Sequence, residues 1–257
     1  MTIATVLACE MLEDETRLAM SRAFPKGGDP PIVWLESSLH ERPPRLRAAL
    51  DELVHALDVG AKSNETVAVR GVRPDRGPHP QDRREESVPV AAHGDIVLGF
   101  GFCGGGLKGL ASESRRLVFP RVDDCVSLLL HDNGGDAARD PRSYYLTKGW
   151  FCHNSSVTDS FEPLVARYGP ERARTLRRLA FANYERVSLI DTGAYNLNDW
   201  IPEGEAFAAD LDLATAIVRG SIGLLERLFV GEWEADDIVV LDPGIPADMR
   251  HILGRGA

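Results

Sequence analysis

The chain has 257 residues, of which 44% are hydrophobic and 26% charged, with a formal net charge of −10 at pH 7. That length suits one large α/β domain or two small ones, and the composition suits a globular chain with a sizeable core. The acidic balance excludes a general nucleic-acid binder, which needs a basic face to neutralise phosphates, and it opposes docking on an anionic membrane.

No stretch has the length and apolarity of a transmembrane helix. Met1 to Ala8 is apolar but short, without a basic start or a small-residue cleavage pattern, so no signal peptide is expected. A cytoplasmic location follows as the expectation. In a reducing compartment four cysteines are expected as free thiols, metal ligands or redox groups rather than as structural disulfides.

Taken in order, Ile3 to Ala8 reads as a buried strand closed by Cys9, and Glu10 to Ala23 as a helix with Met11, Leu12, Leu18 and Met20 inward. Ile32 to Leu35 is a second strand, with His40 just beyond it. Arg42 to Leu57 is a helix with Leu46, Leu50, Leu53 and Leu57 on one face. Ala61 to His93 carries Pro74, Pro78, Pro80 and Pro89 with little periodicity, and reads as an exposed, mobile insertion with a short hairpin about Thr66 to Val72.

Asp95 to Phe100 is a third strand running into Gly101-Phe102-Cys103-Gly104-Gly105-Gly106, and Leu117 to Pro120 is a fourth, followed by Asp123-Asp124-Cys125 and a helix over Val126 to Leu130. Tyr144 to Trp150 is an aromatic segment. Pro163 to Arg186 is a helix or a helix pair divided at Gly169-Pro170. Val187 to Ile190 is a fifth strand ahead of Asp191-Thr192-Gly193, Leu211 to Leu228 is expected as a helix, and Ile238 to Leu241 as a last strand. Alternation of strands and helices predicts a single Rossmann-like α/β domain over residues 1–257, with a mainly parallel sheet and helices on both faces.

Ligands of open parallel sheets bind beyond the carboxyl ends of the strands. Cys9, His40, Cys103 and Cys125 all fall there. Thiolates are soft, strong donors that suit an iron–sulfur cluster or zinc. Cys9, Cys103 and Cys125 alone would leave a coordination position open, as catalysis requires, whereas His40 as fourth ligand would close the site. Against this stands the ordinary behaviour of a buried cysteine as a small hydrophobe, and that of His40 as a capping or surface residue. No CxxC pair marks a zinc ribbon. Cys152 and His153 could add a ligand, but they lie off any strand end, which favours leaving them outside the ligand set.

The glycine run lacks the spacing of a phosphate loop or a dinucleotide fingerprint. Gly101, Gly104 and Gly105 are expected instead to let the backbone approach a bound ligand or cluster. Lys108 is a candidate for neutralising an anionic centre, or a solvated lysine. Asp124, with Asp123 before it, is a candidate acid–base group or a helix cap. Tyr145, with Lys148 and Trp150, is a candidate pocket wall or an ordinary aromatic core.

Ala8-Cys9-Glu10, Leu39-His40 with Pro43 and Leu46, Gly101-Phe102-Cys103-Gly104, Pro120-Arg121-Val122-Asp123-Asp124-Cys125 and Tyr145-Leu146-Thr147-Lys148-Gly149-Trp150, in that order, resemble the family of domain of unknown function 1638. The likeness runs through nearly the whole chain outside Ala61 to His93. Gly104-Gly105-Gly106 departs from the glycine, asparagine, glycine of relatives, and Lys148 stands where proline is common. Some members lie beside corrinoid methyltransferases, so the resemblance implies methyl-group or one-carbon metabolism. Three functions are expected. The first is a metalloenzyme acting on a small substrate. The second is a non-catalytic, metal-handling partner of a corrinoid or redox protein. The third is a metal-free enzyme with a cysteine nucleophile.

Overall fold

A computed structural model of the chain describes residues 2–40, 42–63, 67–69, 72–74, 86–88, 93–134, 139–153 and 161–253. The chain gathers into two compact units, Met1–Leu128 with Ile222–Ala257, and Leu129–Ser221. Most of the segment expected as an insertion, Ala61 to His93, lies outside the described residues.

The first unit holds β1 (Ile3–Cys9), β2 (Ile32–Leu35), β3 (Val67–Val69), β4 (Val72–Pro74), β5 (Glu86–Val88), β6 (Asp95–Leu98), β7 (Leu117–Pro120) and, late in the chain, β11 (Ile238–Leu241). Six of them form one sheet in the order β11-β7-β6-β1-β2-β4. The four inner strands are parallel, and β4 and β11 run antiparallel at the edges. Burial of Ala4 through Ala8 on both faces explains why β1 is an unbroken apolar run rather than an alternating one. The turn of the hairpin expected about Thr66 to Val72 lies outside the described residues; among the described ones, β3 pairs with β5, and β4 with β2.

From β1 the chain moves outward to β2, then returns across β1 to β6. The strand order therefore reverses between β1 and β6, the switch point of a doubly wound sheet. Right-handed crossovers put the helices of these two connections, α1 (Glu13–Ala23) and α2 (Pro43–Ser63), on opposite faces. On α2 the expected stripe Leu46, Leu50, Leu53 and Leu57 is buried, and it continues into Asp58. On α1 the inward residues are Glu15, Thr16, Ala19 and Met20, with Leu18 only half-buried.

The second unit has its own three-stranded parallel sheet, β8 (Ser143–Leu146), β9 (Arg186–Asp191) and β10 (Ala214–Arg219), in the order β10-β9-β8. Its helices include α4 (Lys148–Cys152), α5 (Phe161–Tyr168), α6 (Pro170–Ala180) and α7 (Ile201–Asp210). Gly169 divides α5 from α6, as expected from the Gly-Pro pair. The continuous helix expected over Leu211 to Leu228 is corrected: that span contains β10 and the start of α8 (Gly223–Val230). Thr215, Ile217 and Val218 are β-branched and pair along β9, which outweighs the helical spacing of the flanking leucines.

Candidate functional site

Strand register sets which chemistry meets at the carboxyl edge of the first sheet. Cys9, the last residue of β1, is level with Leu35 of β2, and Leu7 is level with Leu98 of β6. The Gly99 N–H donates to the Leu7 carbonyl at 2.8 Å, so the chain leaves β6 beside the end of β1, at the switch point. Glu10 follows Cys9 and is buried. Its carboxylate accepts the Ser37 N–H at 3.2 Å, tying the end of β1 to the turn after β2. His40 closes that short turn and is half-buried.

The glycine loop after β6 is clamped to the segment after β7. Phe102 N–H donates to the Val122 carbonyl at 2.9 Å, and Cys103 N–H to the Asp123 carbonyl at 2.5 Å. Gly101 lies so close to the Asp123–Asp124 peptide that a Cβ there would sit 2.9 Å from the Asp124 nitrogen. Cys103 has φ 48°, a left-handed conformation uncommon for a residue with a side chain, and Gly104 and Gly105 follow at 60° and 95°. Strained backbone of this kind concentrates at functional positions. On its other side the loop packs against the start of α2, where a Cβ on Gly104 would meet Pro43 Cγ at 3.6 Å. Thus Gly101 permits close approach of the chain to itself, whereas a Cβ on Gly104 would make ordinary contact and one on Gly105 would meet nothing within 4 Å.

Cys125 opens α3 (Cys125–Leu130), and Asp124 caps it, its Oδ1 accepting the Ser127 N–H at 2.8 Å. This brings Cys125 next to Cys103. Burial holds the Cys103 thiol well above its ordinary range, and the neighbouring charges that add to this are Cys125, Cys9, Asp124 and Asp123, in that order. Burial likewise pushes the Cys9 thiol up to about 12, with Glu10 adding to the rise and the Met11 N–H opposing it. The other two sequence-predicted cysteines, Cys9 and Cys125, therefore lie within electrostatic reach of Cys103. Among the described residues, no three of His, Cys, Asp and Glu are set to hold a metal ion as they stand.

The other predicted residues take different places. Lys108 is exposed, with its carbonyl accepting the Arg47 Nε–H at 2.8 Å. Tyr145 belongs to the second unit, where its hydroxyl accepts the Asp140 N–H at 2.8 Å and the Arg139 guanidinium lies 6.0 Å over its ring. Cys152, in α4 of that unit, is exposed.

Asp58 of α2 escaped the sequence reading. Its buried carboxylate accepts from the Ser112 and Ser114 hydroxyls, both at 2.6 Å, and from the Glu113 N–H at 2.8 Å, pinning the approach to β7. An aspartate continuing a leucine stripe at helical spacing was the available signal.

A mainly parallel, doubly wound sheet with thiols at its switch point makes this an α/β protein of Rossmann-like construction. The chain belongs to the family described as Protein of unknown function (DUF1638), which it matches over residues 81–229, more than half its length. The match takes in Cys103, Lys108, Cys125 and Tyr145 and begins after Cys9 and His40. No curated protein and no solved structure matches the chain.

Proposed function

We propose that Cys9, Cys103 and Cys125 hold a metal centre at the switch point of the first sheet, an iron–sulfur cluster in preference to zinc. The chain would use that centre on a small substrate in methyl-group, one-carbon or sulfur metabolism. The observation that carries the reading is the backbone clamp of the glycine loop onto Val122 and Asp123, which sets Cys103 and the approach to Cys125 at adjoining strand ends on the sheet edge that Cys9 also closes. A cluster binds each thiolate at a different iron, so it spans a wider triangle of ligands than one tetrahedral ion does. His40, after β2 on the same edge, is the candidate for a fourth ligand, and its absence from the set would leave a position open for substrate.

The raised thiols of Cys9 and Cys103 argue against either of these two as a metal-free nucleophile, which needs thiolate at neutral pH. A metal removes that obstacle, since binding displaces the thiol protons. The clamped, strained loop at Cys103 supports a preorganised ligand. A corrinoid or redox protein as partner follows from the family resemblance, and a role as accessory to such a protein would use the same centre without turnover.

The test is replacement of Cys9, Cys103 and Cys125 by serine, one at a time, in protein purified without oxygen. Each change should remove the metal, while Cys152→Ser should keep it. Retention of full metal content by any of the first three variants would remove that residue from the site.

A further inference from the structure

The second unit has a carboxyl edge of its own, which the cysteine site does not use. Its three parallel strands end together there, followed by Thr147, by Thr192 and by Gly220. Leu146, Val187 and Leu189 point into an apolar cluster with Phe207. Strand alternation therefore turns Tyr145, Thr147, Ser188 and Ile190 to the opposite face. That face is buried and rich in hydroxyls, including those of Ser143, Thr147, Ser188 and Thr192.

Most of these hydroxyls are satisfied. Ser143 and Ser188 bond to each other, Tyr145 accepts the Asp140 N–H, and Thr192 Oγ1 accepts the Ala194 N–H at 3.4 Å. Thr147 differs. It is 5% exposed, and its Oγ1 has no hydrogen-bond partner among the described residues. Gly220 packs so tightly on the same face that a Cβ would lie 2.5 Å from Ile190 Cγ2 and 3.0 Å from Thr192 Cγ2. A buried hydroxyl left unbonded is costly, and native chains rarely keep one without a use. Its place at the carboxyl end of a parallel strand is where such sheets bind ligands.

We infer that the carboxyl edge of the second sheet binds a small oxyanion, a carboxylate or a phosphate, through the Thr147 hydroxyl. The hydroxyl donates to the anion. By the same alternation Asp191 lies on the other face, with Val187 and Leu189, and its carboxylate accepts the Gly193 N–H at 3.1 Å.

Thermal unfolding of the full chain tests this, in sodium phosphate and in sodium acetate, each against sodium chloride at equal ionic strength. One anion should raise Tm saturably, and which one does so distinguishes phosphate from carboxylate. Thr147→Val should raise Tm of the free protein by about 2–4 °C, because an isosteric methyl removes the unbonded hydroxyl, and should abolish the anion response. Thr147→Ser should keep that response. A Thr147→Val protein that is no more stable than the original, or that keeps the response, would overturn the inference. So would a lack of response to either anion in the unaltered chain.

Discussion

The backbone N–H of Cys103 donates to the carbonyl of Asp123 at 2.5 Å, and this bond joins the loop after β6 to the residues that lead into Cys125. Two cysteines 22 positions apart in sequence become neighbours through main chain rather than through their side chains. The bond also holds Cys103 in its left-handed conformation. Geometry fixed by backbone is available before any ligand arrives, which favours a preorganised site.

Gly101→Ala should disturb this join. The added Cβ would meet the Asp124 nitrogen at 2.9 Å and the Asp123 carbonyl carbon and oxygen at 3.0 Å, main-chain atoms that cannot swing aside. A loss of about 1–3 kcal/mol in urea unfolding is expected, together with reduced metal content. An alanine variant with unchanged stability would show that the loop is looser than described.

Asp58→Ala should cost about 2–3 kcal/mol, because it strands the buried Ser112 hydroxyl and unties the part-buried bonds from the Glu113 N–H and the Ser114 hydroxyl. The effect belongs to folding. Chemical denaturation of the metal-free chain measures it, and Asp58→Asn should lose less because the amide oxygen still accepts.

Alkylation should separate the thiols. Cys152 is exposed, whereas Cys9 and Cys103 are held protonated by burial. In metal-free protein at pH 8, iodoacetamide followed by peptide mass analysis should label Cys152 first and Cys9 and Cys103 last. Rapid labelling of Cys103 would instead support a nucleophilic thiol.

The same protonation links stability to pH. The Cys9 thiol stands at about 12 in the folded chain against an ordinary 9.0. Below pH 9 both states keep the proton, and the stability it contributes is fully present. As pH rises from 9 towards 12 the unfolded chain loses the proton first, so the metal-free protein should become progressively less stable. Cys9→Ala should flatten that slope when urea unfolding is followed across the range.

Much of the first unit is legible in sequence because its strands are buried on both faces and therefore appear as short β-branched runs. The positions of Cys9, Cys103 and Cys125 follow from those runs, since each lies just past one. Direction and sheet membership are another matter. Ile238–Leu241 has the same composition whether it pairs parallel or antiparallel, and it runs antiparallel to β7. Nothing local in Val187 to Ile190 tells that it belongs to a separate sheet with Ala214–Arg219. The cap made by Asp124 also needed coordinates, because a carboxylate ahead of a helix has the same spacing whether or not it caps.

The account rests most heavily on a metal centre at Cys9, Cys103 and Cys125. Iron, acid-labile sulfide and zinc measured in protein purified without oxygen address it most directly. The prediction is iron and sulfide in equal amounts, lost together on Cys103→Ser, with zinc absent. A folded chain free of all three elements would contradict it.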